Sequence, residues 1–459
     1  FNGGAFGGCT AISTINCTEG GIFSMKGNLL MKNDTEIVFA LPGVEITGEL
    51  IIPEGITTIA AYAYQNKTGI TSVKLPSTLT SIGQAAFSGC TGITGELVIP
   101  EGVTIVDREA FNDCTGITSV KLPSTLTTIG QQAFDSTSIT ALELPASVTS
   151  IDYGAFQNTK IKTLYLPDGL NITANSVFEE CTELTEVSVG GDVTGNNAFG
   201  KCTALTTVTV REGAAKIGSR AFQGCTALTT VNLPASLTSL NAQAFYGCTA
   251  LKTINFAEGS IYRFQDGIIY EGNKILFVLT LDQEELTIPE GITEIGDSAF
   301  QKQTILKKVT LPNSLVKIGK NAFNGCTNLA SINLPNNLEE LGYSAFNDCT
   351  SLPMITIPAS LKTIGNSAFR GCTGMKGRLY LPSTVTYFGQ FAFGDCTGIT
   401  SVYFEDAADP ANTTYSERIF DSCTNLTDLR LPENLTKLNN MIYHCYGLRK
   451  LVLPESIKE

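Results

Sequence analysis

The residues best suited to chemistry in this chain are its cysteines, because they recur at one fixed position. The sequence holds 14 cysteines. All but Cys17 lie three residues after a recurring anchor position: Cys9, Cys90, Cys114, Cys181, Cys202, Cys225, Cys248, Cys326, Cys349, Cys372, Cys396, Cys423 and Cys445. Thiols can pair as disulfides, bind metal ions or act as nucleophiles, so three kinds of site have to be weighed.

The periodic placement favours buried free thiols. Cysteines at one phase of stacked coils point in parallel, whereas a disulfide needs Cβ atoms that face each other with a dihedral of about ±90°. Lys67 and Gln303 replace the cysteine in two repeats, which a required bridge would not tolerate. No CxxC pair or Cys/His cluster is present for a metal ion. We expect small hydrophobic side chains in a core, with disulfides and metal sites as the alternatives.

Other groups that could carry chemistry are few. His444 is the single histidine, so a triad, a zinc site or a general base is hard to assemble around it. Glu284 and Glu285 are neighbouring carboxylates, but solvation explains them. We expect no enzyme, no catalytic, cofactor-binding or metal-binding residues and no cofactor. The net charge of −13 would repel a phosphate backbone, so we expect no nucleic-acid partner, and no apolar run is long enough to span a membrane.

The elements that must position the cysteines are short repeats. Anchors recur mostly 21 to 24 residues apart: Phe6, Tyr64, Phe87, Phe111, Phe134, Phe156, Phe178, Phe199, Phe222, Phe245, Phe300, Phe323, Phe346, Phe369, Phe393, Phe420 and Ile442. In the segment Ile117–Pro123, apolar residues at 120 and 122 flank a lysine, which predicts a half-buried strand that the proline ends. A second short extended segment follows at 126–129. Successive strands should pair in parallel, and the anchor rings should stack as a buried column.

Two further positions of the repeat are nearly constant. The residue four before the anchor is usually glycine, as at Gly83 and Gly130, and we expect a left-handed turn there. Alanine usually precedes the anchor, as at Ala86, and we expect one turn of helix that passes close to the next coil.

Longer spacings interrupt the repeat in two places. The segments 18–51 and 257–287 alternate apolar and polar residues between turn signals, which predicts two small β-hairpin or meander inserts that project from the array. Each rejoins it through the phrase Ile-Pro-Glu-Gly-Ile-Thr, at 52–57 and 288–293. An irregular loop is expected at 405–416. We predict a single repeat solenoid over 1–459 with about 17 coils.

A binding face is expected on the strands, whose side chains between the buried positions form a column. Its middle is an uncharged Ser/Thr/Asn ribbon. Toward the C-terminus Tyr380, Tyr403 and Arg430 should fall on successive coils, and Tyr165 lies in the same column. Tyr and Arg are enriched at binding hot spots, so these four are the candidate ligand contacts. The alternative is that tyrosine is simply a good strand residue.

The stretch LPSTLTSIGQAAFSGCTGIT at 75–94 and the insert segment Asp266-Gly-Ile-Ile-Tyr270 resemble the BspA-like leucine-rich repeat family over essentially the whole chain. The resemblance implies a right-handed β/α superhelix with parallel strands on the concave face and short turns or helical turns elsewhere. It also implies an extracellular or cell-surface protein, its signal peptide removed, that acts as an adhesin in host–microbe interaction. The partners would be a host extracellular-matrix protein, a cell-surface protein or a glycan, met through the concave face or the inserts. The rival expectation is a structural spacer that presents another domain and binds nothing.

Overall fold

The computed structural model describes residues 11–279 and 281–458, so the anchor Phe6 and Cys9 lie outside the described residues. Within it the chain divides into two compact units, Phe1–Ile261 and Tyr262–Glu459. Each unit is a stack of coils with parallel strands. The single array of about 17 coils, the handedness and the concave face stay predictions.

The coils of the first unit carry parallel strands of two kinds, as the two extended segments of the repeat predict. The longer strands are Gly48–Ile51, Ile70–Lys74, Gly95–Val98, Ile117–Lys121, Thr163–Asp168, Glu186–Gly190, Thr207–Val210, Thr230–Leu233 and Thr253–Phe256. The two-residue strands are Thr58–Ile59, Ser81–Ile82, Ile105–Val106, Thr128–Ile129, Ser150–Ile151, Lys216–Ile217 and Ser239–Leu240. Like residues pair with like, as Val208 does with Val231, so the buried faces of successive coils stay aligned.

The second unit repeats this plan. Its strands of the first kind, two to six residues long, form two three-stranded sheets, one of Glu285–Thr287, Lys308–Thr310 and Ser331–Ile332, the other of Gly377–Leu381, Ile399–Phe404 and Asp428–Arg430. Its two-residue strands are Glu294–Ile295, Lys317–Ile318, Glu340–Leu341, Thr363–Ile364, Tyr387–Phe388 and Thr414–Tyr415. The irregular loop expected at 405–416 has no strand over 405–413, and its end forms the last of these short strands.

Each predicted insert contains an antiparallel three-stranded meander. The strands are Phe23–Lys26, Leu29–Lys32 and Glu36–Ala40 in the first unit and Tyr262–Gln265, Ile268–Glu271 and Lys274–Val278 in the second. The expectation that they project from the array is wrong, because the third strand of each meander pairs in parallel with the first two-residue strand. The meander is therefore the beginning of a ladder.

The anchor rings form the predicted buried column in each unit. Rings from Tyr64 to Phe245 and from Phe300 to Phe420 stack on their neighbours with centroids 5.0–5.6 Å apart and planes within 12° of parallel. Phe87, Phe111 and Phe323 are fully buried. Because every ring packs on the rings before and after it, the column fixes the vertical spacing of the coils.

The glycine four residues before the anchor serves a purpose other than the predicted left-handed turn. The left-handed residues are two before and two after the anchor, for example Ala85 and Gly89. At Gly83 a Cβ atom would lie 2.7 Å from the backbone nitrogen of Ala61 on the preceding coil, and at Gly342 2.7 Å from Gly319 C. Glycine is needed there because two backbones approach too closely for a side chain.

The predicted turn of helix is also replaced, since the described residues contain no helix. Around the anchor the backbone instead makes consecutive tight turns whose alternate N–H groups reach the next coil. Phe87 N–H, for example, donates to Ala110 O at 2.8 Å, while Ala86 N–H donates back to Gly83 O at 3.2 Å. The segment is hydrogen-bonded both to itself and to the next coil. The backbones therefore lie close together, which suits the small side chain of alanine.

Candidate ligand-binding surface

Three of the predicted contact residues come together on one sheet of the second unit. Strands Gly377–Leu381, Ile399–Phe404 and Asp428–Arg430 pair so that Tyr380 lies opposite Tyr403 and Tyr403 opposite Arg430. The two tyrosine rings have centroids 5.7 Å apart with planes tilted by 49°. Tyr380 is 56% exposed. The predicted placement on successive coils is therefore confirmed, while their role as ligand contacts stays a prediction.

Arg430 is held in place by residues of the preceding coil. Its guanidinium carbon lies 4.7 Å from the centre of the Tyr403 ring. Nη1 donates to the Phe404 carbonyl at 2.7 Å, and Nη2 lies 3.2 Å from the Asp406 carboxylate. The pKa of Asp406 is lowered, first by the backbone N–H of Glu433 and also by this cation. A fixed cation stacked on an aromatic ring costs little side-chain entropy when a partner binds.

Tyr165, in the first unit, is the centre of a second cluster of the same kind. It is 62% exposed, and the Arg211 guanidinium carbon lies 4.0 Å from its ring centre. Arg211 donates to the Leu166 carbonyl and to the Asp168 carboxylate. The residues that hold the arginine therefore follow the tyrosine by one and three positions in both clusters. We call Tyr165/Asp168/Arg211 and Tyr403/Asp406/Arg430 the two tyrosine–arginine clusters.

Sequence reasoning missed Asp168, Arg211, Asp406 and also Arg378. Arg378 Nη1 donates to the Tyr380 hydroxyl at 3.2 Å and Nε to Ser401 Oγ at 3.2 Å, which adds a second arginine to the C-terminal patch. The aspartate three residues after the tyrosine was a usable signal. The partner arginine was not, because in one cluster it comes from the next coil and in the other from two coils later.

The uncharged ribbon in the middle of the column forms a side-chain ladder. Asn232 Nδ2 donates to Thr209 Oγ1 at 3.2 Å, and Asn255 Nδ2 donates to Asn232 Oδ1 at 2.8 Å. Each amide is therefore engaged by the coil before it. These residues stabilise the stack of strands and leave fewer free donors for a ligand.

The cysteines that the structure describes are free thiols, and most are buried. Each buried thiol donates to the carbonyl of the preceding anchor, for example Cys114 Sγ to Phe87 O at 3.1 Å and Cys349 Sγ to Phe323 O at 3.1 Å. Burial raises the pKa of Cys90 and Cys326 to about 12. A neutral thiol that is occupied by a hydrogen bond is a poor nucleophile and a poor metal ligand.

The residues that replace the cysteine do not all repeat its bond to the preceding coil. Thr137 and Thr159, buried at the same place, donate to the carbonyls of their own anchors, Phe134 at 2.9 Å and Phe156 at 3.0 Å, and not to the anchor of the preceding coil. Lys67 instead sends its ammonium to three carbonyls of the preceding segment, those of Leu41, Pro42 and Val44. The sequence did not predict these bonds, because they join atoms more than 20 residues apart or depend on the turn geometry.

The remaining groups that could carry chemistry are engaged elsewhere. Glu284 and Glu285 form exposed ion pairs with Lys307 at 2.7 Å and Lys308 at 3.0 Å. His444 Nδ1 lies 3.8 Å from Asp421. Over residues 11–279 and 281–458 no three His, Cys, Asp or Glu side chains come together as a metal site, and no helix has the length and apolar character to cross a bilayer.

A family model described as a BspA type leucine rich repeat region (6 copies) matches residues 44–160, 94–195, 193–278, 272–380 and 368–459. A leucine rich cell surface protein from Faecalibacterium prausnitzii A2-165 is 25% identical, over 85% of this chain and 95% of that one, with a TM-score of 0.43. The T. pallidum leucine rich repeat protein is 32% identical, over 41% and 87%, with a TM-score of 0.34. No curated protein matches the chain.

Proposed function

The chain belongs to the family of BspA-type leucine-rich repeat proteins, and we propose on that premise that it is a non-catalytic, adhesin-like recognition protein of the cell surface or extracellular space. Its partner would be a host protein or a glycan. The observation that carries the proposal is the patch of Tyr380, Tyr403, Arg378 and Arg430 on adjacent strands. Exposed aromatic rings beside ordered cations are the composition of a binding hot spot.

The surface suits recognition better than catalysis. Most of the described thiols are buried, the two neighbouring glutamates are bound to lysines, and the tyrosines and arginines of the patch lie on the outer face of a strand ladder. A rigid surface loses little conformational entropy on binding. The rival function, a spacer that binds nothing, is favoured by the arginine contacts within each tyrosine–arginine cluster, because such contacts also stabilise the strands.

The test is to screen the intact chain against arrays of host matrix proteins and glycans. The variant Tyr403→Ala with Arg430→Ala should weaken binding of any partner found by about tenfold or more, because each hot-spot side chain contributes about 1–2 kcal/mol. Tyr343→Ala is the matched control, since Tyr343 is 51% exposed but lies outside the strand face. Thermal unfolding of both variants checks that the fold is kept.

Two outcomes would count against the proposal. Undiminished binding by the double variant would remove the patch from consideration. Binding of the intact chain to no probe would favour the spacer. Cell-surface location is tested separately, by protease accessibility of the chain on intact cells.

A further inference from the structure

We propose that a cleft at Pro353, where the strand ladder is interrupted, binds a neutral sugar residue. The inference rests on the proposed function and names a ligand class for a part of the same face. The cleft lies between strand Ser331–Ile332 and the coil that contains Pro353–Thr356, with strand Gly377–Leu381 on the following coil.

The interruption follows from the missing N–H of proline. On the two preceding coils the equivalent residue starts the ladder: Lys307 N–H donates to Glu284 O at 2.7 Å, and Ala330 N–H donates to Lys307 O at 2.8 Å. Pro353 stands 23 residues after Ala330 and cannot donate. Within the described chain, the backbone of residues 353–356 makes no hydrogen bond to either neighbouring coil.

The packing opens at the same place. Ile332 and Leu334 are half-buried, although their counterparts one coil earlier, Val309 and Leu311, are 1% and 4% exposed. The cleft has a volume of about 320 Å³. One side is shaped by Asn333, whose amide turns back to bond Leu311, with Oδ1 accepting from the N–H at 3.1 Å and Nδ2 donating to the carbonyl at 3.3 Å.

The lining selects the class of ligand. It contains no charged side chain, so nothing in it compensates an anionic or cationic ligand. It combines the hydroxyls of Ser331 and Thr356 and unpaired backbone groups with the apolar surfaces of Ile332 and Met354. A sugar ring offers the same combination, because its hydroxyls donate and accept while its C–H face is apolar. The volume is at the lower end for small-molecule sites, about 300–1,000 Å³, which fits one or two rings.

An extended peptide is the less suitable occupant. A peptide adds to a sheet along an open edge several residues long. Here the strands on the preceding coils pair with one another, as do those on the following coils, so only one coil is unpaired. Tyr380, 56% exposed on the next coil, supplies an aromatic side chain near this region for a further ring of a longer glycan.

The experiment uses the methyl signal of Met354, one of only five methionines in the chain. The intact protein, methyl-labelled at methionine, is titrated with glucose, galactose, mannose, N-acetylglucosamine and lactose, and with sialic acid as the charged comparator. We expect a saturable shift of the Met354 signal with at least one neutral sugar and none with sialic acid. No shift with any neutral sugar, or an equal response to sialic acid, would overturn the proposal.

Variants separate the cleft from the rest of the face. Thr356→Phe fills the cleft and should weaken the sugar response by about tenfold or more, whereas Thr310→Phe, at the same strand position two coils earlier, should change it less than about twofold. Pro353→Ala restores the N–H, and we expect a higher melting temperature together with a weaker sugar response. A response that survives Thr356→Phe would contradict the cleft.

The outcomes also separate this inference from the proposed function. If an array partner depends on Tyr403 and Arg430 but tolerates Thr356→Phe, and no neutral sugar shifts Met354, the recognition function stands and the cleft is refuted. If neutral sugars shift Met354 but no array probe binds, the cleft stands and the macromolecular partner is refuted.

Discussion

At the residue scale, the constant positions of the repeat are constant for reasons of contact between coils. The cysteine donates to the preceding anchor carbonyl, and the glycine lets two backbones meet. The sequence predicted that these residues belong to the core. It could not predict the left-handed positions, because residues as different as Glu109 and Arg220 occupy them. Hydrogen bonds from alternate N–H groups to the next coil hold them there, and such bonds leave no local pattern.

A pair of glycine variants distinguishes close approach from backbone conformation. In Gly342→Ala the new Cβ would lie 2.7 Å from Gly319 C and Lys320 N, so we expect a loss of about 2–4 kcal/mol in unfolding free energy. In Gly325→Ala the nearest atom is the flexible Lys302 Cγ at 3.2 Å, and only the positive φ of 75° is strained, so about 1 kcal/mol is expected. Denaturant unfolding measures both, and equal losses would contradict the distinction.

Thiol reactivity should follow burial. Iodoacetamide added to the native protein at about pH 8 should modify the half-buried Cys17 and leave Cys90 and Cys326 intact, because burial keeps those two thiols protonated, with pKa values of about 12. Peptide mapping by mass spectrometry locates the label, and unfolded protein labelled in denaturant is the control. Modification of Cys326 as fast as that of Cys17 would show that the core opens readily.

At the scale of the elements, successive coils are also joined outside the ladders by carboxylates. Glu54 accepts from Ser77 N–H at 3.1 Å and from Ser77 Oγ at 2.9 Å, and Glu101 binds Ser124 in the same way. The backbone N–H of the serine is the main cause that lowers the pKa of each glutamate, and the serine hydroxyl adds to it. The folded coils therefore favour the ionised carboxylates.

This pairing predicts a dependence of stability on acid. A carboxyl group whose pKa is lower in the folded than in the unfolded chain stabilises the fold above its ordinary pKa, and this contribution is lost as pH falls through the folded value. Melting temperature should thus drop below about pH 4.5, and Glu54→Gln with Glu101→Gln should flatten that drop. Thermal unfolding followed by circular dichroism from about pH 3 to 6 measures the change. Glu96→Gln, an exposed strand carboxylate, is the control and should leave the profile unchanged.

The strands were predictable because alternation of apolar residues and the 23-residue period act together. The break at Pro353 was not, although the proline is visible in the sequence. Other prolines of the repeat stand at or after the end of the strand segment, whereas Pro353 stands before it. The effect of Pro353 becomes clear only from the hydrogen bond that Ala330 makes at the equivalent position. The candidate face was likewise predicted only in part: Tyr380, Tyr403 and Arg430 follow from register, while Arg211 and Arg378 needed side-chain positions.

At the scale of the whole molecule, the chain repeats one plan in its two units. Each contains an antiparallel meander, which is followed by the phrase Ile-Pro-Glu-Gly-Ile-Thr and then by plain coils. This duplication was readable from the sequence because it repeats. The ligand was not, because the residues that differ from coil to coil are the ones that face outward.

The charge of the whole chain gives a further prediction. With a net charge of −13, the protein should not bind DNA or RNA at about 0.15 M salt, because few phosphates could be neutralised by its scattered lysines and arginines. A gel-shift titration with a DNA duplex and an RNA hairpin measures this, with a basic protein of similar size as the positive control. A saturable shift at that salt concentration would contradict the expectation.

The bond from each buried thiol to the previous anchor bears on how such a protein evolves. Each such coil supplies the thiol for the bond to the coil before it and the anchor carbonyl for the bond from the coil after it. A coil can therefore be copied or lost by recombination without new partner residues in other coils. Lys67, at the same place, still bonds to the preceding segment, whereas Thr137 bonds to its own anchor, so the junction need not be the same between every pair of coils. Selection can therefore alter the number of coils while the outward-facing residues change independently.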